Sequence, residues 1–126
     1  MESPKILLVD DERDFVETLS KLLARRGYDV QTAPDAAQGF RIVLRGGIEV
    51  VLLDLKMPGL HGMDALREIK RISPGLEVII LTGHLLKSSE QEGLSLGAFA
   101  YLTKPCTVQE LVETIEAARA RRASRG

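Results

Sequence analysis

A chain of 126 residues, 44% hydrophobic and 28% charged, has room for one folded domain around one core. Its 17 basic and 18 acidic residues leave a formal net charge of -1, which gives no case for nucleic-acid or membrane-surface binding driven by bulk charge. The single cysteine, Cys106, excludes an internal disulfide and a cysteine-cluster metal site; no apolar run approaches the ~20 residues of a membrane span, and "MESPK" lacks a signal-peptide pattern, so cytoplasm is the default expectation.

In chain order, the first apolar run is "KILLV", and the later ones are "YDVQT", "VVLLD", "EVIIL" and "FAYLT". Continuous Val, Ile and Leu without polar alternation suits strands buried on both faces of a parallel sheet, and three of the five runs carry that pattern strongly. Between the runs lie segments of helical period. Phe15, Val16, Leu19, Leu22 and Leu23 share one face of a first helix that Gly27 closes. Pro34 is placed in the first turn of a second, which carries Phe40, Val43 and Leu44 and stops at Gly46 and Gly47. Leu66, Ile69 and Ile72 mark a third, ended by "SPG". The fourth segment, "KSSEQEGLSLG", has a thin stripe of Leu94 and Leu96 and an internal Gly93, which costs about 1 kcal/mol relative to alanine, and is expected to be short or mobile. Thr107 and Glu110 form a capping box ahead of Leu111, Val112, Ile115 and Ala118. The end, "ARARRASRG", holds four arginines and no acid and reads as a fraying helix or the start of a linker, dividing the chain into a domain over 1–122 and a basic tail over 123–126.

Strand and helix alternating five times give an α/β fold of (βα)5 type, and the right-handed crossover rule favours an open, doubly wound parallel sheet with helices on both faces. Ligands of such sheets bind outside the carboxyl ends of the strands. There the sequence places Asp10, Asp11 and Glu12, then Asp54, Thr82 and Lys104. Each has a plain reading of its own, as a helix cap, a turn residue or a counter-ion. Together, the carboxylates make an oxygen-rich site for Mg²⁺, beside which an aspartate can attack a phosphoryl group while a lysine and a hydroxyl neutralise the transferred oxygens.

The motifs "VDDE", "LLDLKMPGLHGMD", "LTGH" and "GAFAYLTKP" resemble the receiver domain of two-component response regulators, from about Lys5 to about Ala120. The resemblance implies a flavodoxin-like five-stranded sheet of order 2-1-3-4-5. It makes Asp54 the phosphoacceptor, Asp10 and Asp11 the carboxylates of the Mg²⁺ site, with Asp11 the direct ligand, and the Lys56 carbonyl a further ligand. Thr82 is similar to the family's switch hydroxyl, Tyr101 to the aromatic partner that turns inward, and Lys104 to the lysine that contacts phosphate, followed by a cis bond to Pro105. Glu12 is then a neighbour or a first-helix charge, and Gly83 leaves access to the acyl phosphate. Lys56 and His84 face the water path, and His61 is a loop histidine.

The implied function is a phosphorylation-controlled switch that takes its phosphoryl group from a sensor histidine kinase or phosphotransfer protein and acts on an output partner that the sequence does not name. It binds neither nucleic acid nor membrane directly. An alternative is a Mg²⁺-dependent phosphatase or phosphotransferase acting on a separate substrate, although no G-x-x-x-x-G-K-[ST] or G-x-G-x-x-G loop is present. A non-phosphorylatable adaptor of the same shape is disfavoured by the full set of carboxylates and the lysine.

Overall fold

A computed structural model describes residues 3–56, 62–83 and 87–124; the expectations for His61 and His84 lie outside them. The elements alternate as β1 (Lys5–Val9), α1 (Arg13–Arg25), β2 (Asp29–Ala33), α2 (Ala36–Arg45), β3 (Val50–Leu53), α3 (Gly62–Ile72), β4 (Glu77–Thr82), α4 (Lys87–Ser95), β5 (Ala100–Thr103) and α5 (Val108–Ser124). The strands are parallel in the order β2-β1-β3-β4-β5. Composition explains the order. The three most apolar runs became the three central strands, in which every residue but Lys5 is buried, while the more polar β2 and β5 took the edges.

Successive side chains of the central strands feed two cores. On one face, Leu7, Val9, Val51, Leu53, Val78 and Ile80 meet the apolar sides of α2 and α3. On the other, Ile6, Leu8, Val50, Leu52, Ile79 and Leu81 meet Leu19 and Leu23 of α1 and Leu111, Ile115 and Ala118 of α5. No helix among the described residues is long and apolar enough to cross a membrane.

The caps place the helix starts. The Thr107 hydroxyl accepts the Glu110 N–H at 3.0 Å, as the capping box requires. Pro34, by contrast, precedes the second helix: Asp35 takes the N-cap, its carboxylate accepting the Gln38 N–H at 2.9 Å, which leaves Pro34 outside the first turn. The arginine-rich end is ordered helix through Ser124, held by Arg119 on Glu49 (3.3 Å) and Glu116 (2.7 Å) and by Arg121 on Glu77. Nothing local in the sequence marks these partners, because Glu49 and Glu77 lie far back in the chain.

The fourth helix is the shortest of the described helices, as expected, but its glycine has a role that the sequence did not show. Gly93 is buried, and a Cβ there would lie 2.6 Å from Ile80 Cδ1, with Met63 and the Tyr101 ring also within reach. The glycine that weakens α4 as a helix is what lets it sit close on β4 and β5. Gly93→Ala is therefore expected to lower stability, because overpacking costs about 1–3 kcal/mol and outweighs about 1 kcal/mol of helix propensity. Ile80→Val removes the obstructing methyl, so urea unfolding should find the double variant more stable than Gly93→Ala alone. A loss that Ile80→Val leaves untouched would show that the close approach is not its cause.

Candidate functional site

The site begins with two ladder bonds that continue the sheet past its strands. The Asp10 N–H donates to the Ala33 carbonyl at 3.0 Å and the Asp54 N–H to the Val9 carbonyl at 3.0 Å. These bonds fix the two aspartates side by side at the carboxyl ends of β1 and β3, where they are 2% and 3% exposed. Asp10 Oδ1 accepts the Glu12 N–H at 2.9 Å, and Asp54 Oδ1 accepts the Lys56 N–H at 3.1 Å, so each carboxylate folds its own loop back over the strand end. Behind Asp54 the chain is tight: a Cβ on Gly62 would fall 2.4 Å from Leu55 Cα, so only glycine lets α3 begin there.

Lys104 crosses from the other side. Its backbone N–H donates to the Thr82 carbonyl at 2.9 Å, its bond to Pro105 is cis, and its ammonium reaches Asp10 Oδ2 at 2.6 Å, Glu12 Oε1 at 2.9 Å and Asp54 Oδ2 at 3.5 Å. Carboxylate oxygens of Asp10, Glu12 and Asp54 lie within 4.8 Å of one another. Beside them, Asp11, Glu12, Asp54, Lys56 and Gly83 line an opening to solvent. Asp11 thus stands exposed on the rim, whereas Glu12, read from sequence as a neighbour, has its carboxylate in the inner trio. The bond from the Glu12 N–H to Asp10 turns that side chain back over Lys104, a local fold that residue type alone does not announce.

Burial pushes the Asp10 carboxyl above its ordinary range, an effect that hydrogen bonds from Lys104 and Glu12 offset only in part. Burial works against the Lys104 ammonium too, but the hydrogen bonds to Asp10 and Glu12 outweigh it, and Lys104 is held charged. One ammonium among three carboxylates leaves a surplus of negative charge. Hard oxygen donors with uncompensated charge, open on one side to water, suit a Mg²⁺-like ion that keeps water and phosphate ligands.

Of the remaining expected residues, Thr82 closes β4 wholly buried and pairs with Thr103 of β5. Tyr101 is 8% exposed and packed inward. Its ring lies beside Gly93, so α4 and the expected switch residue are in contact.

A family model described as the response regulator receiver domain matches residues 6–116. The chain belongs to this family. Among solved structures, this receiver domain is similar to a response regulator receiver domain protein from Clostridium thermocellum, with 42% identity and a TM-score of 0.93 over 98% of this chain and 99% of that one. It is also 39% identical to a transcriptional regulatory protein CpxR homolog of Haemophilus influenzae over 95% of its own length and 52% of the relative's. With the transcriptional regulatory protein GlrR of Escherichia coli (strain K12) it shares 36% identity over 88% of its length and 25% of the relative's. The receiver domain therefore spans between a quarter and about half of these curated relatives.

Proposed function

We propose that this receiver domain is a phosphoacceptor switch in which Asp54 takes a phosphoryl group from a sensor histidine kinase or phosphotransfer protein. The observation that carries the reading is Lys104, whose ammonium touches Asp54 and the two neighbouring carboxylates at once. Asp54 Oδ1 accepts the Lys56 N–H at 3.1 Å and Oδ2 faces the Lys104 ammonium at 3.5 Å, and Oδ2 is assigned as the nucleophile because the cation there can balance charge on the incoming group. As the Oδ2–phosphorus bond forms, the bond from phosphorus to the donor's imidazole nitrogen breaks, and the electron pair leaves with that nitrogen. Lys104 then balances charge on the transferred oxygens, and Thr82, at the end of the adjacent strand, offers them a hydroxyl.

Asp10, Asp11, Asp54 and the Lys56 carbonyl would hold Mg²⁺, with Glu12 as a further donor. The bound ion supplies positive charge against the phosphoryl oxygens. The alternative, a phosphatase acting on a separate substrate, has no supporting observation beyond this shared chemistry. On phosphorylation, Thr82 is drawn toward the new oxygens and the contact of Tyr101 with α4 changes, altering the face that an output partner reads. The curated relatives above are named transcriptional regulatory proteins, and the output partner of this receiver is either a joined module of that kind or a separate protein.

Acetyl phosphate with Mg²⁺ should add one phosphoryl group to the wild type and none to Asp54→Asn, read by intact mass. Equal labelling of both proteins would remove Asp54 from the role, and steady turnover of small phosphomonoesters would favour the phosphatase.

A further inference from the structure

We propose that Phe15 is a positioning residue for phosphoryl transfer: the face of its ring seats the Lys104 ammonium without occupying the N–H donors that the carboxylates and the phosphoryl group need. The role rests on the reading of Asp54 and Lys104 above. Phe15 lies in the first turn of α1, and the Lys104 Nζ is 4.2 Å from its ring centroid. That is close enough for the ring quadrupole to attract the cation.

The geometry gives the contact a specific use. An ammonium has three donors, and three carboxylates surround this one, at 2.6 Å from Asp10, 2.9 Å from Glu12 and 3.5 Å from Asp54. The nearest partners draw Lys104 toward β1, away from the residue that reacts. A fourth polar partner would compete for the same donors. An aromatic face does not, because it interacts with the charge as a whole. The Lys104 side chain is 11% exposed, so little water screens the attraction. Phe15 also lines an apolar hollow with Leu19, Leu22, Cys106, Val108 and Leu111, where a lysine released from the site would otherwise lay its stem. The ring thus closes the exit on that side and leaves the ammonium one short shift from Asp54 Oδ2.

The test compares the full chain with Phe15→Leu, which keeps an apolar side chain and removes the ring, and with pentafluorophenylalanine incorporated at Phe15, which keeps the shape and inverts the ring's electrostatics. The measured rate is phosphorylation of Asp54 by acetyl phosphate with Mg²⁺. Carbon-13 labelled lysine reports the Lys104 Hε protons in the same proteins without phosphodonor. Those protons should be ring-current shifted in the wild type and lose the shift in Phe15→Leu, and both altered proteins should label roughly three- to tenfold more slowly. Wild-type rates in Phe15→Leu despite the lost shift would overturn the positioning role. A slow Phe15→Leu beside a fluorinated protein of wild-type rate would reduce Phe15 to a space-filler and overturn it equally. Failure of the reading of the site itself looks different: the unsubstituted protein would take no phosphoryl group at all, and the proposal would fall with it.

Discussion

Arg121→Ala is expected to remove about 3 kcal/mol of stability, the lower end of what breaking a buried ion pair costs. Glu77 opens β4 and is wholly buried. Arg121 holds it with two hydrogen bonds, Nη2 to Oε1 at 2.6 Å and Nε to Oε2, and lays its guanidinium 4.6 Å from the Phe99 ring centroid. Glu77 is wholly buried, so losing the two-pronged guanidinium removes its Arg121 hydrogen bonds at a carboxylate that water reaches poorly. Arg121 is itself about one-third exposed, which keeps the expected loss at the low end. The melting temperature should fall by roughly 10 °C. Arg121→Lys should recover part of the loss, since it restores charge without the two-pronged geometry. Glu77→Gln placed in the Arg121→Ala background should also recover part, by removing a buried charge that has lost its Arg121 hydrogen bonds. A loss below about 1 kcal/mol would place this pair with ordinary surface ion pairs and refute its anchoring of α5.

That ion pair also shows where sequence reading stops. The two-faced core followed from the placement of Val, Ile and Leu, because burial on both faces of a central strand demands an unbroken apolar run, whereas the strand order came from the resemblance to the family alone. The site's strand-end residues were legible for the same topological reason: Asp10, Asp54, Thr82 and Lys104 each stand at the end of such a run. Long-range polar partners were not. Nothing local to "ARARRASRG" marks Arg119 and Arg121 as anchors, since Glu49 and Glu77 are brought to them only by the fold. Gly93 was misjudged for a related reason. Helix propensity prices it as a defect, and only the distance to Ile80 shows that it permits close packing. Glu12 joined the inner carboxylates through the turn closed by Asp10, and Phe15 counted simply as one member of an apolar stripe until Lys104 was placed over its ring.

Lys104→Met should slow Asp54 phosphorylation by about two orders of magnitude, because it removes the one side-chain cation that touches Asp54 among the described residues. Methionine keeps most of the volume against Phe15, so the comparison isolates charge. The same substitution should cost stability in a pH-dependent way. Asp10 is 2% exposed and its carboxyl already sits above the ordinary value of 3.8, chiefly through burial and against the lowering effect of Lys104. Without the ammonium that offset is gone and the carboxyl rises further. A group whose folded value exceeds its unfolded one binds more protons in the native state, so stability falls as pH rises through the interval between the two values. Below that interval the carboxyl is protonated in both states and the cost disappears. In chelator, Lys104→Met should therefore lose about 2–4 kcal/mol relative to wild type at pH 7 and markedly less near pH 4, measured by urea unfolding. A loss that is constant across that range, or that grows toward acid, would mean that Lys104 stabilises the domain by packing instead of by neutralising Asp10. Adding Asp10→Asn tests the neutralising role directly: the double variant should regain stability at pH 7, since the buried charge is gone and the amide oxygen can still accept the Glu12 N–H, and its stability should lose the pH dependence of Lys104→Met.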